Sequence, residues 1–204
     1  MFGELLLDGT KTLRGMILDV LNDIIALQAY PPAAWKSARL SVIFKKGDPT
    51  LPDNYRPISI LPILYKVFSR MVGDRLCSIL MPLQAVDQAA YRKTFSTDDH
   101  TFVVTQVVEK SLEYNLPIWL VLIDYTKAFD TVELTMLWKV LADQGVHPDF
   151  ILLLQRLYTG AQAYVRTDVS SQSFPICRGV RQCDPIFPLF VYCSNGAHLH
   201  AIER

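Results

Sequence analysis

The sequence is poor in the residues that build disulfide frameworks and zinc sites. Four cysteines, Cys77, Cys177, Cys183 and Cys193, are scattered over 204 residues, and none forms a CxxC pair. His198 and His200 are two positions apart, which turns them to different faces of a helix. No zinc-ligand spacing results. The thiols are therefore expected to be reduced, without disulfide partners, in an intracellular protein. Nothing distinguishes nucleus from cytoplasm. Long apolar runs are also lacking. The longest, Leu116–Ile123, contains Pro117 and falls far short of the roughly 20 residues that span a membrane. Leu5–Leu7 follows Glu4 and is too short for a secretory leader, so none is expected. There is no internal repeat, no low-complexity linker and no G-x-x-x-x-G-K-[ST] loop, which argues against a P-loop nucleotide-binding protein. Net charge is absent too. Lys plus Arg and Asp plus Glu both number 20, which weighs against a free-standing nucleic-acid binder.

What is present is a chain able to bury a core, half apolar and one fifth charged. Its charge is uneven. Between Trp35 and Arg75 eight cations (Lys36, Arg39, Lys45, Lys46, Arg56, Lys66, Arg70, Arg75) face three anions (Asp48, Asp53, Asp74). Such clustering steers polyanions even on a neutral protein, although a solvated basic face is the plainer reading.

Hydrophobic spacing predicts a helix over Leu13–Ala29, ended by Pro31-Pro32. Ala38–Phe44 and Tyr55–Ile60 read as a hairpin whose long tip carries Lys45-Lys46-Gly47-Asp48-Pro49. A second amphipathic helix follows over Leu64–Leu80, and a third, capped by Thr97, Asp98 or Asp99, runs to about Tyr114. Trp119–Ile123 is apolar throughout and predicts a strand buried on both faces. Helices are expected over Asp130–Ala142, with Gly145 as C-cap, and over Asp149–Tyr158. Gln162–Thr167 and Gln172–Arg178 predict two strands joined by a turn at Asp168–Ser171, and Asp184 with Pro185 begins a last helix. Segregated strands and helices imply an α+β fold with an antiparallel sheet and packed helices.

The residue that speaks most of chemistry is Asp124, at the tip of that apolar strand. A carboxylate delivered there can hold a hard cation such as Mg²⁺. It can equally cap the following helix. Asp130 fits the cap role better, which leaves Asp124 free for the other.

The run Asp124-Tyr125-Thr126-Lys127-Ala128-Phe129-Asp130 resembles motif A of the reverse transcriptases of non-LTR (LINE-type) retrotransposons. Three further segments resemble the same family in its order. Asn54-Tyr55-Arg56-Pro57-Ile58-Ser59-Ile60-Leu61 follows a strand ending in Lys45-Lys46. Gln88-Ala89-Ala90-Tyr91-Arg92 is followed by Ser96-Thr97-Asp98. Gly179-Val180-Arg181-Gln182-Cys183-Asp184-Pro185 resembles motif B. The resemblance implies the fingers and partial palm of a right-hand polymerase: a helical lead over 1–34, a fingers-like part over 35–115 and a partial palm over 116–204.

It also implies roles. Asp124 and the carbonyl of Tyr125 would hold Mg²⁺. Lys45, Lys46 and Arg56 would grip the triphosphate through charged hydrogen bonds. Arg92 would add a phosphate contact, if it is not simply a surface arginine. Phe129 would be the gate that rejects a ribose 2′-hydroxyl, if its ring is not simply core packing. Gln182 would lie against the nascent base pair. The partners implied are an RNA template, a DNA primer and a dNTP.

Departures matter as well. Ala90 and Cys183 stand where the family has glycine, and Tyr91 and Phe187 replace phenylalanine and a small serine. A left-handed backbone at Cys183 would cost roughly 1–2 kcal/mol. The F/Y-A-D-D hairpin that would bring the remaining metal ligands does not occur in the 204 residues, and the last carboxylate is Glu203. The chain is therefore expected to be an inactive portion of a polymerase domain. The alternative is a non-catalytic nucleic-acid-binding or scaffolding remnant.

Overall fold

The computed structural model describes residues 9–84, 88–90, 92, 95–125, 127–186 and 188–190. Helix α1, Lys11–Ile25, is capped by Thr10, whose hydroxyl oxygen accepts from the Leu13 N–H at 3.3 Å. It ends at Ile25 rather than Ala29. Leu27 takes a left-handed φ of 61°, and the N–H groups of Gln28 and Ala29 both donate to the Asp23 carbonyl at 2.9 and 3.1 Å. The reversal is thus made before Pro31 is reached.

Strands β1 (Ser37–Phe44) and β2 (Tyr55–Ile60) form the expected hairpin, with Phe44 opposite Tyr55 and Arg39 opposite Ile60. Helix α2, Ile63–Leu80, follows. After it come α3 (Thr97–Glu113), α4 (Leu134–Asp143), α5 (Pro148–Tyr158) and the short strands β3 (Gln162–Val165) and β4 (Phe174–Pro175). The sheet order is β2-β1-β3-β4. It is mixed rather than antiparallel, because β3 pairs parallel to β1, with Ala38 beside Ala163. Several helices intervene between the two strands, the kind of long crossover that parallel pairing requires. β3 and β4 pair antiparallel as expected but are shorter, with a bridge between Arg166 and Ser170 at the turn.

One hydrophobic cluster holds these parts together. Tyr65, Phe68, Val72 and Leu76 of α2 meet Leu21 and Ile24 of α1, Leu137 and Leu141 of α4, and Leu154 and Leu157 of α5. Trp35 packs on the Tyr65 and Phe68 rings at 5.8 and 5.2 Å between centroids. Ala38 and Ala163 are fully buried on the sheet face that meets this cluster. Such interdigitation of large side chains is what makes a unique core.

Three expectations are corrected. Trp119–Ile123 forms no strand, and Trp119 and Leu122 are 90% and 93% exposed. A strand exists only through its neighbours, and among the described residues this segment pairs with neither edge of the β2-β1-β3-β4 sheet. Helix α4 starts at Leu134, with Glu133 at its N-cap position making no side-chain capping bond, and not at Asp130, which lies in a turn at 127–131. The cap of α3 is Ser96, in a reciprocal capping box with Asp99. Gly145 closes α4 with φ 81° and donates to the Ala142 carbonyl at 2.9 Å. Of the last expected helix, Pro185 and Ile186 form a turn and residues 188–190 are helical; its remainder lies outside the described residues. Among the described residues no helix is long and apolar enough to cross a membrane.

Candidate active site

The tip of the β1–β2 hairpin is ordered by its own polar groups. Gly47 turns the chain with φ 94°. Asp48 accepts from the N–H and hydroxyl of Thr50 at 2.8 and 2.7 Å, which holds its carboxyl below the usual range. The Asn54 side-chain amide donates to the Asp48 carbonyl at 2.8 Å, and the Tyr55 hydroxyl to that of Pro49 at 2.9 Å. The Lys45 N–H donates to the Asn54 carbonyl at 2.8 Å, closing the loop. Lys45 and Lys46 therefore stand exposed on a fixed loop, with Arg56 exposed on β2 opposite Ile43.

Asp124 and Tyr125 are both exposed. Just beyond them the chain turns sharply: the N–H groups of Asp130 and Thr131 donate to the Lys127 carbonyl at 2.9 and 3.2 Å. Lys127 has a left-handed φ of 51°, and its ammonium group meets Asp53 at the base of the fingertip loop at 2.8 Å. That contact lowers the Asp53 pKa and raises that of Lys127. Phe129 is half-buried and packs against the core.

The segment after β4 lies directly on this turn. The Gly179 N–H donates to the Val132 carbonyl at 2.8 Å and the Val180 N–H to that of Phe129 at 3.0 Å. Gly179 has φ 84°, and a Cβ there would sit 2.8 Å from the Asp130 carbonyl oxygen. Only glycine allows so close an approach. The Gln182 amide donates to the Asp130 carboxylate at 3.1 Å. A cleft of about 140 Å³ results, lined by Pro57 and Ser59 of β2, Asp130, and Gly179 to Gln182. Strand β2, Asp130 and the segment from Ile176 to Gln182 thus line one cleft, whereas Asp124, Lys45, Lys46, Arg56 and Arg92 are not among its lining residues.

Arg92 is placed differently. Its guanidinium donates to the Gln88 carbonyl at 3.2 Å and lies 4.7 Å from the Phe95 ring centroid, occupied within its own loop. Ala90 is absent from the left-handed residues, whereas Cys183 has φ 71°. Of the two missing glycines, only the one at 183 is missed by the backbone. Tyr91 and Phe187 lie outside the described residues.

Sequence reasoning overlooked the residues that flank Gln182 and Cys183. Arg181 is buried and donates to the carbonyls of Trp35 and Leu157 at 3.0 and 3.2 Å, with the Tyr65 and Tyr158 rings at 5.4 and 5.2 Å. Asp184, also buried, accepts from the hydroxyls of Tyr65 and Ser69 and from the Ile186 N–H at 3.2 Å. The Asp184 N–H closes a turn on the Arg181 carbonyl at 3.1 Å. Burial, with the Asp184 charge second, pushes the Tyr65 and Tyr158 phenols well above their usual range. Both stay protonated, so the Tyr65 hydroxyl remains a donor to the buried carboxylate. The turn is anchored on both sides and offers Gln182 and Cys183 between them. Arg181 and Asp184, opposite charges three positions apart between the apolar Val180 and Ile186, were the available signal.

Among the described residues no three carboxylate, imidazole or thiol groups converge where a metal ion could sit. Asp124 is a single carboxylate, so these residues alone do not make a metal centre.

Residues 43–192 match the family described as reverse transcriptase (RNA-dependent DNA polymerase), and the chain belongs to that family. It is 33% identical over 85% of its length to the probable RNA-directed DNA polymerase from transposon X-element of Drosophila melanogaster, covering 19% of that protein. It is 30% identical over 76% of its length to the transposon TX1 uncharacterized 149 kDa protein of Xenopus laevis, and 27% over 79% to the Pol polyprotein of the R2 element of Popillia japonica. The chain spans only 12% and 23% of those two proteins. These matches support the reverse-transcriptase domain of a non-LTR retrotransposon that the four segments implied.

Proposed function

We propose that this chain supplies the fingers, over 35–115, and part of the palm, over 116–204, of a polymerase that copies RNA into DNA. The observation that carries the reading is the convergence of three segments far apart in sequence on one cleft. Gln182 meets Asp130 at its wall, and Pro57 and Ser59 of the hairpin line it. In this reading Lys45, Lys46 and Arg56 bind the phosphates of the incoming nucleotide, and Arg92 adds a contact once it leaves its own loop. Asp124 and the Tyr125 carbonyl would help to hold a magnesium ion, which would supply positive charge beside those phosphates. Phe129, held against the core, keeps its ring where a 2′-hydroxyl would clash. Gln182 faces the nascent base pair. Relatives named as RNA-directed DNA polymerases, those from X-element and jockey among them, support the polymerase reading.

That no metal-binding cluster forms among the described residues favours a second reading, in which these 204 residues bind primer and template without extending them. Both parts are tested with poly(rA)/oligo(dT). Binding that weakens with salt, and weakens further in a Lys45, Lys46 and Arg56 to alanine variant, supports the reading. Affinity that does not move with that variant refutes the hairpin as contact surface. Incorporation of dTTP with Mg²⁺ or Mn²⁺ that is abolished by Asp124→Ala would refute the inactivity of the chain.

A further inference from the structure

We propose that Lys127 is an additional polyphosphate-binding residue, held in reserve by Asp53 until a nucleotide triphosphate displaces that carboxylate. The inference rests on the nucleotide-binding reading above and adds a cation that none of the four segments assigns to phosphate.

Two independent features point to it. The first is the ion pair itself. Lys127 and Asp53 are 74 positions apart and meet at 2.8 Å, yet their side chains are 57% and 83% exposed. A pair so open to water contributes little to stability, so it is poorly suited to fasten the hairpin to the turn at 127–131. It is well suited to be exchanged. The second is the backbone. Lys127 holds a left-handed φ of 51°, a conformation that disfavours a lysine, and the Asp130 and Thr131 N–H groups fix it there. Strain of this kind is retained where the surrounding structure over-determines it. The ammonium group of this residue reaches Asp53 at the fingertip loop.

The surroundings favour exchange. Hydrogen bonding and charge from Lys127 lower the Asp53 pKa, and the Lys45 charge adds to this. Asp130 is the other carboxylate whose charge acts on Lys127. A single carboxylate neutralises one cation. A triphosphate carries several charges and can engage Lys127 together with Lys45, Lys46 and Arg56, which a lone aspartate cannot do.

The test is equilibrium binding of fluorescently labelled dTTP to the 204-residue chain at low salt without divalent ions, followed by anisotropy. Asp53→Asn removes the competitor and is expected to tighten dTTP binding about three- to fivefold. Lys127→Gln is expected to weaken it by a similar factor, and the double variant to lose the gain given by Asp53→Asn. A gain that survives in the double variant, or no gain at all, overturns the inference. If Asp53→Asn is silent while the Lys45, Lys46 and Arg56 to alanine variant loses dTTP, the reserve role fails and the fingertip reading stands. If neither wild type nor Asp53→Asn binds dTTP, both fail.

Discussion

Replacing Cys183 with glycine should stabilise the protein. The turn from Arg181 to Asp184 is closed by a backbone hydrogen bond of 3.1 Å, and Cys183 is its third residue with φ 71°. That position of a type II turn asks for glycine. Any side chain there costs roughly 1–2 kcal/mol. Glycine relieves that cost but loosens the unfolded chain, returning about 0.4–1 kcal/mol. The Cys183 side chain is exposed, so little packing is lost with the thiol. The net gain is about 0.5–1 kcal/mol. With a urea slope of about 2 kcal/mol/M, the midpoint rises by roughly 0.3–0.5 M. Urea unfolding followed by circular dichroism reads this directly. Cys183→Ala is the control, because it removes the thiol and keeps the Cβ, and it should unfold with the wild type. A gain in the alanine variant equal to that in the glycine variant would refute the backbone explanation, as would a loss on Cys183→Gly.

Gly179→Ala should act in the opposite sense, costing about 2–4 kcal/mol, because a Cβ 2.8 Å from the Asp130 carbonyl adds a clash to left-handed strain; an unchanged urea midpoint would contradict it. Tyr65 and Tyr158 have phenols raised above the unfolded value of 10.0. Their contribution to stability is full below that value and is lost as pH climbs through the window above it, where the unfolded chain gives up protons first. Tyrosinate absorbance should therefore show these two rings ionising only with alkaline unfolding, and smooth titration of all tyrosines in the folded protein would contradict it. Trp119 is 90% exposed, Trp35 is buried and Trp138 is half-buried. Trp119→Phe should remove most of the iodide-quenchable fluorescence, and unchanged quenching would place that segment under cover.

The hairpin was legible because its determinants are local. Apolar runs and a Gly47-Asp48-Pro49 tip mark both strands without help from the rest of the chain. Helix α2 was legible for the same reason, its stripe being complete within one element. The borders failed where a single backbone angle decides: Leu27 ends α1 early, and the left-handed Lys127 displaces the start of α4 beyond Asp130. The parallel pairing of β1 with β3 depends on how the intervening helices return the chain, which no window of sequence contains. Trp119–Ile123 has the composition of a buried strand, but composition states what a segment would bury, not whether a neighbouring strand is there. Of the cleft's lining, Gln182 was legible in the sequence as a site residue, whereas Asp124 and Arg56 do not line it. The anchoring of its rim by Arg181 and Asp184 was not, since a buried charge is recognised only by the carbonyls and hydroxyls that surround it.

The most direct measurement is photo-crosslinking from the 3′ end of an oligo(dT) primer annealed to poly(rA), with the modified peptides identified by mass spectrometry. If the cleft between the hairpin and the 178–182 segment receives the growing end, labelled peptides will contain residues 124–130 and 178–184. Labelling confined to α1 or α3, with both of those segments untouched, would contradict the account.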